Sequence, residues 1–234
     1  MVWAMLGLVG WNLVFAGEPG VDPRVGTQVG CFLTARELRG PEIPYNGVDD
    51  DCNPATFDDD LDNDGLTRFQ DCDDLMPGEM RVLRGSLLWM GADNPCAAGG
   101  SLRIEGDLII GATVNSVTNL ACICAVSGSV EVSETKELQT LEGLDGLKFV
   151  GGDLTLNQTQ GLENINALNS LEAVGGALEI TGNQSLQSVD GFSALAEVGD
   201  LTVASNAVMV GIDGLNSLEA VMGSLEINNN QQLT

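Results

Sequence analysis

From about residue 128 the apolar positions of this chain recur every 24 residues. Val130, Leu154, Leu178, Leu201 and Leu225 hold one equivalent place, with one residue missing before Leu201. Val132, Leu156, Ile180, Val203 and Ile227 follow two positions later, and this alternation predicts a short strand in every unit. Leu138, Leu162 and Leu186 come next, then Leu141, Ile165, Val189 and Ile212, then Leu144, Leu168, Phe192 and Leu215. Leu147, Leu171, Leu195 and Leu218 precede Val150, Val174, Val198 and Val221, which close each unit. Gly151-Gly152, Gly175-Gly176, Gly199 and Gly223 mark the turn into the next strand. A period of this length denotes a solenoid, because one unit cannot bury its apolar face alone and must stack on its neighbours.

Asn157 and Asn183 follow the predicted strands, where an Asn side chain can bond backbone groups at a turn; both also head N-x-S/T sequons. Leu102-Arg103-Ile104 and Asp107-Leu108-Ile109-Ile110 are expected to begin an irregular first coil. Cys96, Cys122 and Cys124 would tie down the amino-terminal cap that such a stack requires. At the other end Gln231-Gln232-Leu233-Thr234 stops inside the fifth unit, where Leu233 matches Leu186; we expect the chain to be a piece of a longer product, with stacking on a partner as the alternative. The motif G-x-L-x-I-x-x-N-x-x-L…L-x-x-L-x-x-V over 128–234 resembles the receptor L-domain family. That resemblance implies a right-handed β-solenoid related to leucine-rich repeats, with ligand binding or surface building as the role. The expected fold class is therefore mainly β, a right-handed solenoid with a small loop-rich module ahead of it.

Between residues 49 and 74 the pattern changes: eleven aspartates stand with one basic residue, Arg68. Charges packed so densely repel, and a hard divalent cation with oxygen ligands relieves them. Asp60, Asp62 and Asp64 fall at positions 1, 3 and 5 of a twelve-residue calcium loop, with Gly65 at position 6 for the sharp turn. Leu66 would offer its carbonyl at position 7 and Asp71 stands at position 12, where the longer Glu is usual. Asp49, Asp51 and Asp73 are further candidate ligands. Pro54 and Pro77 flank the segment and no helical apolar period adjoins it, so a free-standing calcium turn is expected rather than a helix–loop–helix pair. The alternative is an acidic, solvated linker.

Pro41-Glu42-Ile43-Pro44-Tyr45-Asn46-Gly47-Val48-Asp49-Asp50-Asp51-Cys52, the D-x-D-x-D-G loop and Asp71-Cys72-Asp73-Asp74 together resemble the MopE-type metal-binding module of bacterial surface proteins. They are also similar to the calcium-binding type 3 repeats of thrombospondins. Copper is linked to some relatives, but this chain has no histidine, and carboxylate oxygens favour Ca²⁺. The expected organisation is a signal peptide over 1–16, a linker over 17–40, the metal-binding module over 41–79, a disulfide-linked cap and first coil over 80–127, and repeats over 128–234.

The formal charge of −25 argues against nucleic acid and anionic membrane as partners. Residues 1–16 form an apolar run with Val14 and Ala16 at the −3 and −1 places of a secretory cleavage site, so a secreted or cell-surface protein cut after Ala16 is expected. No Lys or Arg precedes that run, which leaves an uncleaved anchor or a misplaced start codon as the alternative. Six cysteines agree with an oxidising compartment. Bracketing of the acidic segment favours Cys31 with Cys52 and Cys72 with Cys96. Cys122 and Cys124 would be strained if bonded directly, and can instead pair with earlier cysteines or with another chain.

Catalysis finds little support. Within 128–234 the only bases are Lys136 and Lys148 against fifteen acids, with no His and no G-x-S-x-G elbow. Glu131 and Glu179 are a chance carboxylate pair whose plainer reading is solvated strand positions. We therefore expect no enzyme; a calcium-dependent polysaccharide lyase is the catalytic alternative. The expected function is a calcium-binding surface protein whose solenoid recognises a protein or a glycan, against a passive envelope spacer. After residue 100 the aromatics are Phe149 and Phe192, both at expected core phases, which argues against a sugar-stacking platform.

Overall fold

The computed structural model describes Cys72 and residues 80–233, all within one unit spanning 59–234. The strands come in pairs along the chain. They are β1 (Arg81–Arg84) and β2 (Leu87–Trp89), β3 (Leu102–Glu105) and β4 (Leu108–Ile110), β5 (Ile123–Val126) and β6 (Val130–Ser133), and β7 (Phe149–Val150) and β8 (Leu154–Asn157). Then follow β9 (Ala173–Val174) and β10 (Leu178–Thr181), β11 (Glu197–Val198) and β12 (Leu201–Ala204), and β13 (Ala220–Val221) and β14 (Leu225–Asn228). Odd-numbered strands form one seven-stranded sheet in the order β1-β3-β5-β7-β9-β11-β13, and even-numbered strands form the other. Every named pairing is parallel, so each coil lays one rung on each sheet and the chain is a β-solenoid of about six turns. Residues 80–127 contribute β1 to β5 to these same two sheets. No helix among the described residues is long and apolar enough to cross a membrane.

The apolar rows read from the sequence become the rungs. Val130, Leu154, Leu178, Leu201 and Leu225 stand in register across β6, β8, β10, β12 and β14, and the first four are buried. Val132, Leu156, Ile180 and Val203 form the next inward row, each fully buried. On the opposite side Val150, Val174 and Val198 point inward from two-residue strands. Short 3₁₀ turns at Asn166–Leu168, Asp190–Phe192 and Asp213–Leu215 link the strands along the remaining side, bringing Leu168 and Phe192 into the core. Phe149 departs from expectation. It precedes the inward Val150, so strand alternation turns it to the outer face, where it is half-buried.

The missing residue before Leu201 is absorbed at the glycine turn. In the preceding coil Gly175 N donates to Val150 O and Gly176 N to Gly152 O, both within 2.9 Å. In the shortened coil Gly199 N serves both roles, reaching Val174 O at 3.2 Å and Gly176 O at 2.8 Å. The register of the following strand is thereby kept. The coils approach so closely here that a Cβ on Gly199 would lie 2.5 Å from the Gly176 carbonyl oxygen.

A second ladder runs inside the stack, just after the strands of the even-numbered sheet. Thr159, Asn183 and Asn206 are fully buried and occupy one place in successive coils. Thr159 donates through both N and Oγ1 to Asn183 Oδ1 (3.1 and 2.7 Å), and Asn183 N and Nδ2 donate to Asn206 Oδ1 (3.1 and 3.0 Å). Asn206 repeats the pattern on Asn230, while the Nδ2 atoms of Asn183 and Asn206 also donate to the carbonyls of Leu156 and Ile180 at 2.9 Å. The expected turn role for Asn183 is thus an interior one, and burial removes its side chain from glycosylation in the folded protein. Asn157 closes β8, half-buried, with Oδ1 accepting from Thr181 Oγ1.

One position breaks the ladder. Thr135 is fully buried at the equivalent place in the coil before Thr159, and its Oγ1 has no partner among the described residues. An unpaired buried hydroxyl costs about 1–3 kcal/mol, so Thr135→Val, which keeps the shape, raises stability by about 1 kcal/mol. Asn183→Ala strands the donors of Thr159 and the Leu156 carbonyl, and lowers stability by about 3 kcal/mol. Urea denaturation followed by circular dichroism reads both; a destabilised Thr135→Val or a neutral Asn183→Ala would contradict this assignment.

Candidate functional site

The predicted calcium ligands Asp49, Asp51, Asp60, Asp62, Asp64, Leu66, Asp71 and Asp73 lie outside the described residues, as do Cys31 and Cys52. Among the described residues no group of three or more His, Cys, Asp or Glu is arranged to hold a metal. Cys72, inside the motif Asp71-Cys72-Asp73-Asp74, is described and is bonded to Cys124, with a Cα–Cα distance of 5.5 Å. Cys96 pairs with Cys122 at 5.4 Å. The expected pairing of Cys72 with Cys96 is therefore corrected. Cys122 and Cys124 flank Ile123, whose side chain is in the core; Cys124 is itself buried, and Cys122 packs half-buried against that core. Cys124 is also the extra residue of a bulge: Leu102 pairs with Ile123 while Arg103 pairs with Ala125. Cys96, in the loop after β2, accepts a hydrogen bond on Sγ from Cys122 N at 3.0 Å.

A second contact fixes Cys72. Lys148, just before β7, donates from Nζ to the Cys72 carbonyl at 2.7 Å. The acidic motif is thus joined to the solenoid by a covalent bond at β5 and a charged hydrogen bond one coil further on.

On the opposite sheet the residues that follow the strands make a distinct feature. Glu134, Gln158, Gly182, Ser205 and Asn229 occupy the same place after β6, β8, β10, β12 and β14, all with φ between 52° and 68°. This left-handed conformation sustains the ladder: Glu134 N donates to Asn157 O, and Gln158 N to Thr181 O, both at 2.9 Å. Glycine adopts it freely and Asn readily, whereas Glu and Gln bear roughly 1–2 kcal/mol of strain. Two residues further on, Lys136, Gln160 and Gln184 form a parallel column, and between the columns the buried Thr135, Thr159 and Asn183 turn inward.

The two columns wall an open cleft of about 390 Å³ lined by Glu134, Lys136, Gln158, Gln160, Gly182 and Gln184. Its floor opens at Gly182, where the missing side chain leaves Gln158 Cγ as the nearest atom, 3.4 Å from a would-be Cβ. The five side chains that line it make no hydrogen bond or ion pair with any described residue. They present amide, carboxylate and ammonium groups to solvent in one place. The sequence reading passed over them, and the signal was faint: comparing repeats shows Gly182 where the neighbouring coils carry Gln158 and Ser205. Glu131 and Glu179 sit apart from the cleft on the outer face of β6 and β10, both exposed, with Thr155 in register between them.

No family model, curated protein or solved structure matches this chain.

Peptide mapping of the oxidised protein without reduction checks the cysteine connectivity. It is expected to return Cys72–Cys124 and Cys96–Cys122 as linked pairs; a Cys72–Cys96 peptide would contradict the geometry of β5.

Proposed function

We propose that this chain is an exported, surface-exposed recognition protein. Its solenoid presents a polar ligand cleft, and its acidic segment over 41–79 binds Ca²⁺. The observation that carries this reading is the attachment of Cys72 to Cys124 and Lys148, because it fixes to the rigid stack the motif in which candidate ligands Asp71 and Asp73 are the covalent neighbours of Cys72. Disulfides at Cys72 and Cys96 support an oxidising, extracytoplasmic setting. The spacing D-x-D-x-D-G from Asp60 and the lack of histidine favour calcium as the ion. Resemblance to surface-protein metal modules and to receptor L domains points the same way.

Calcium here rigidifies rather than folds. At millimolar Ca²⁺ and a dissociation constant near ~10⁻⁴ M, one site adds only about 1.4 kcal/mol, well below what the stacked core supplies. Limited proteolysis with and without chelator tests this directly. Chelation is expected to open cleavage sites within 41–78 while residues 80–233 stay resistant, and calorimetry to register Ca²⁺ binding. Identical digests together with no heat at millimolar Ca²⁺ would overturn the calcium part of the reading.

A further inference from the structure

The cleft lies just after β6, β8 and β10, at the place where each of these coils takes left-handed backbone. Glu134 and Gln158 take left-handed backbone where glycine would be unstrained, as Gly182 shows one coil on. Neither side chain returns anything to the fold, since neither has a partner among the described residues.

The lining selects the ligand class. Gln158, Gln160 and Gln184 each offer two donors and an acceptor, and Glu134 and Lys136 add an acceptor and a donor. The backbone beneath is already paired, with Gln160 N on Thr135 O at 2.8 Å and Gln184 N on Thr159 O at 3.1 Å, so an extended peptide cannot add as a strand. None of the lining residues makes an apolar pocket for a peptide side chain. A formal charge of −25 repels anionic ligands. Groups that both donate and accept at short intervals along an uncharged chain fit this surface. We propose that the cleft binds a neutral oligosaccharide laid along the solenoid axis across three coils. This rests on the recognition reading of the solenoid, and the absence of an aromatic ring in the lining makes each contact weak, with dissociation constants on the order of millimolar.

The test is a titration of the calcium-loaded, oxidised chain with cellotriose, maltotriose, chitotriose and mannotriose, followed by side-chain amide resonances. At least one sugar is expected to shift the amides of Gln158, Gln160 and Gln184 in a saturable way. Gly182→Gln fills the floor in a conformation that Gln158 already adopts, so it leaves the spectrum folded and weakens binding at least tenfold. The pair Glu134→Gly and Gln158→Gly weakens binding at least tenfold while the thermal midpoint holds or rises, which a merely structural role would not produce. Silence with all four sugars, or a titration indifferent to Gly182→Gln, would overturn the proposal. Shifts of the same three amides by peptides instead would overturn the sugar class and leave the recognition reading standing. Loss of the calcium reading would appear separately, in titrations with Ca²⁺ alone.

Discussion

A coil of this chain is unfinished until the next one lies against it. Its strands expose one edge, its apolar rows are open on one side, and its buried side-chain amide lacks an acceptor. Parallel pairing closes the first gap at every rung from β2 to β14. Burial of Leu154, Leu178 and Leu201 closes the second, and the chain of bonds from Thr159 through Asn183 and Asn206 to Asn230 closes the third. The buried amides matter most for uniqueness. Apolar rows tolerate a slip along the strand direction poorly, but an amide ladder with both donors and acceptors used tolerates none without stranding polar groups.

That ladder also explains which side chains are left at the surface. The chain passes Thr135, Thr159 and Asn183 with their side chains turned inward, and the residues on either side are forced outward. Inner positions hold the stack; outer ones are free to vary. Glu134, Lys136, Gln158, Gln160 and Gln184 use that freedom, and Gly182 supplies the gap between them. On the other sheet, Cys124 and Lys148 hold Cys72. One scaffold thus carries an open cleft and the attachment of Cys72, on separate sheets, without disturbing its core.

Much of the fold was legible in the sequence because period two within a strand and period 24 between strands leave regular apolar marks. The rows beginning at Val130 and Val132 map onto the even-numbered sheet without a shift in register. Of the second sheet, Leu102-Arg103-Ile104 was legible, but strands of two residues such as Ala173–Val174 carry no alternation to detect. The same brevity put Phe149 in the core on paper and on the outer face in the structure. Asn183 looked like a turn residue because turn and ladder roles share a residue type. Cysteine pairing escaped because it depends on the bulge at Cys124, which no local pattern announces. The cleft escaped because its lining comes from single outward residues of three coils, which form no motif along the chain.

Hydrogen exchange of single backbone amides in native buffer bears most directly on the interior ladder as the element that fixes the stack. The amides of Thr159, Asn183 and Asn206 should exchange as slowly as those of Leu156, Ile180 and Val203 in the adjoining strands. If they instead exchanged as fast as an exposed turn amide such as that of Gln232, the stack would be held by its apolar rows alone, and the ladder's part in fixing the coils would fail.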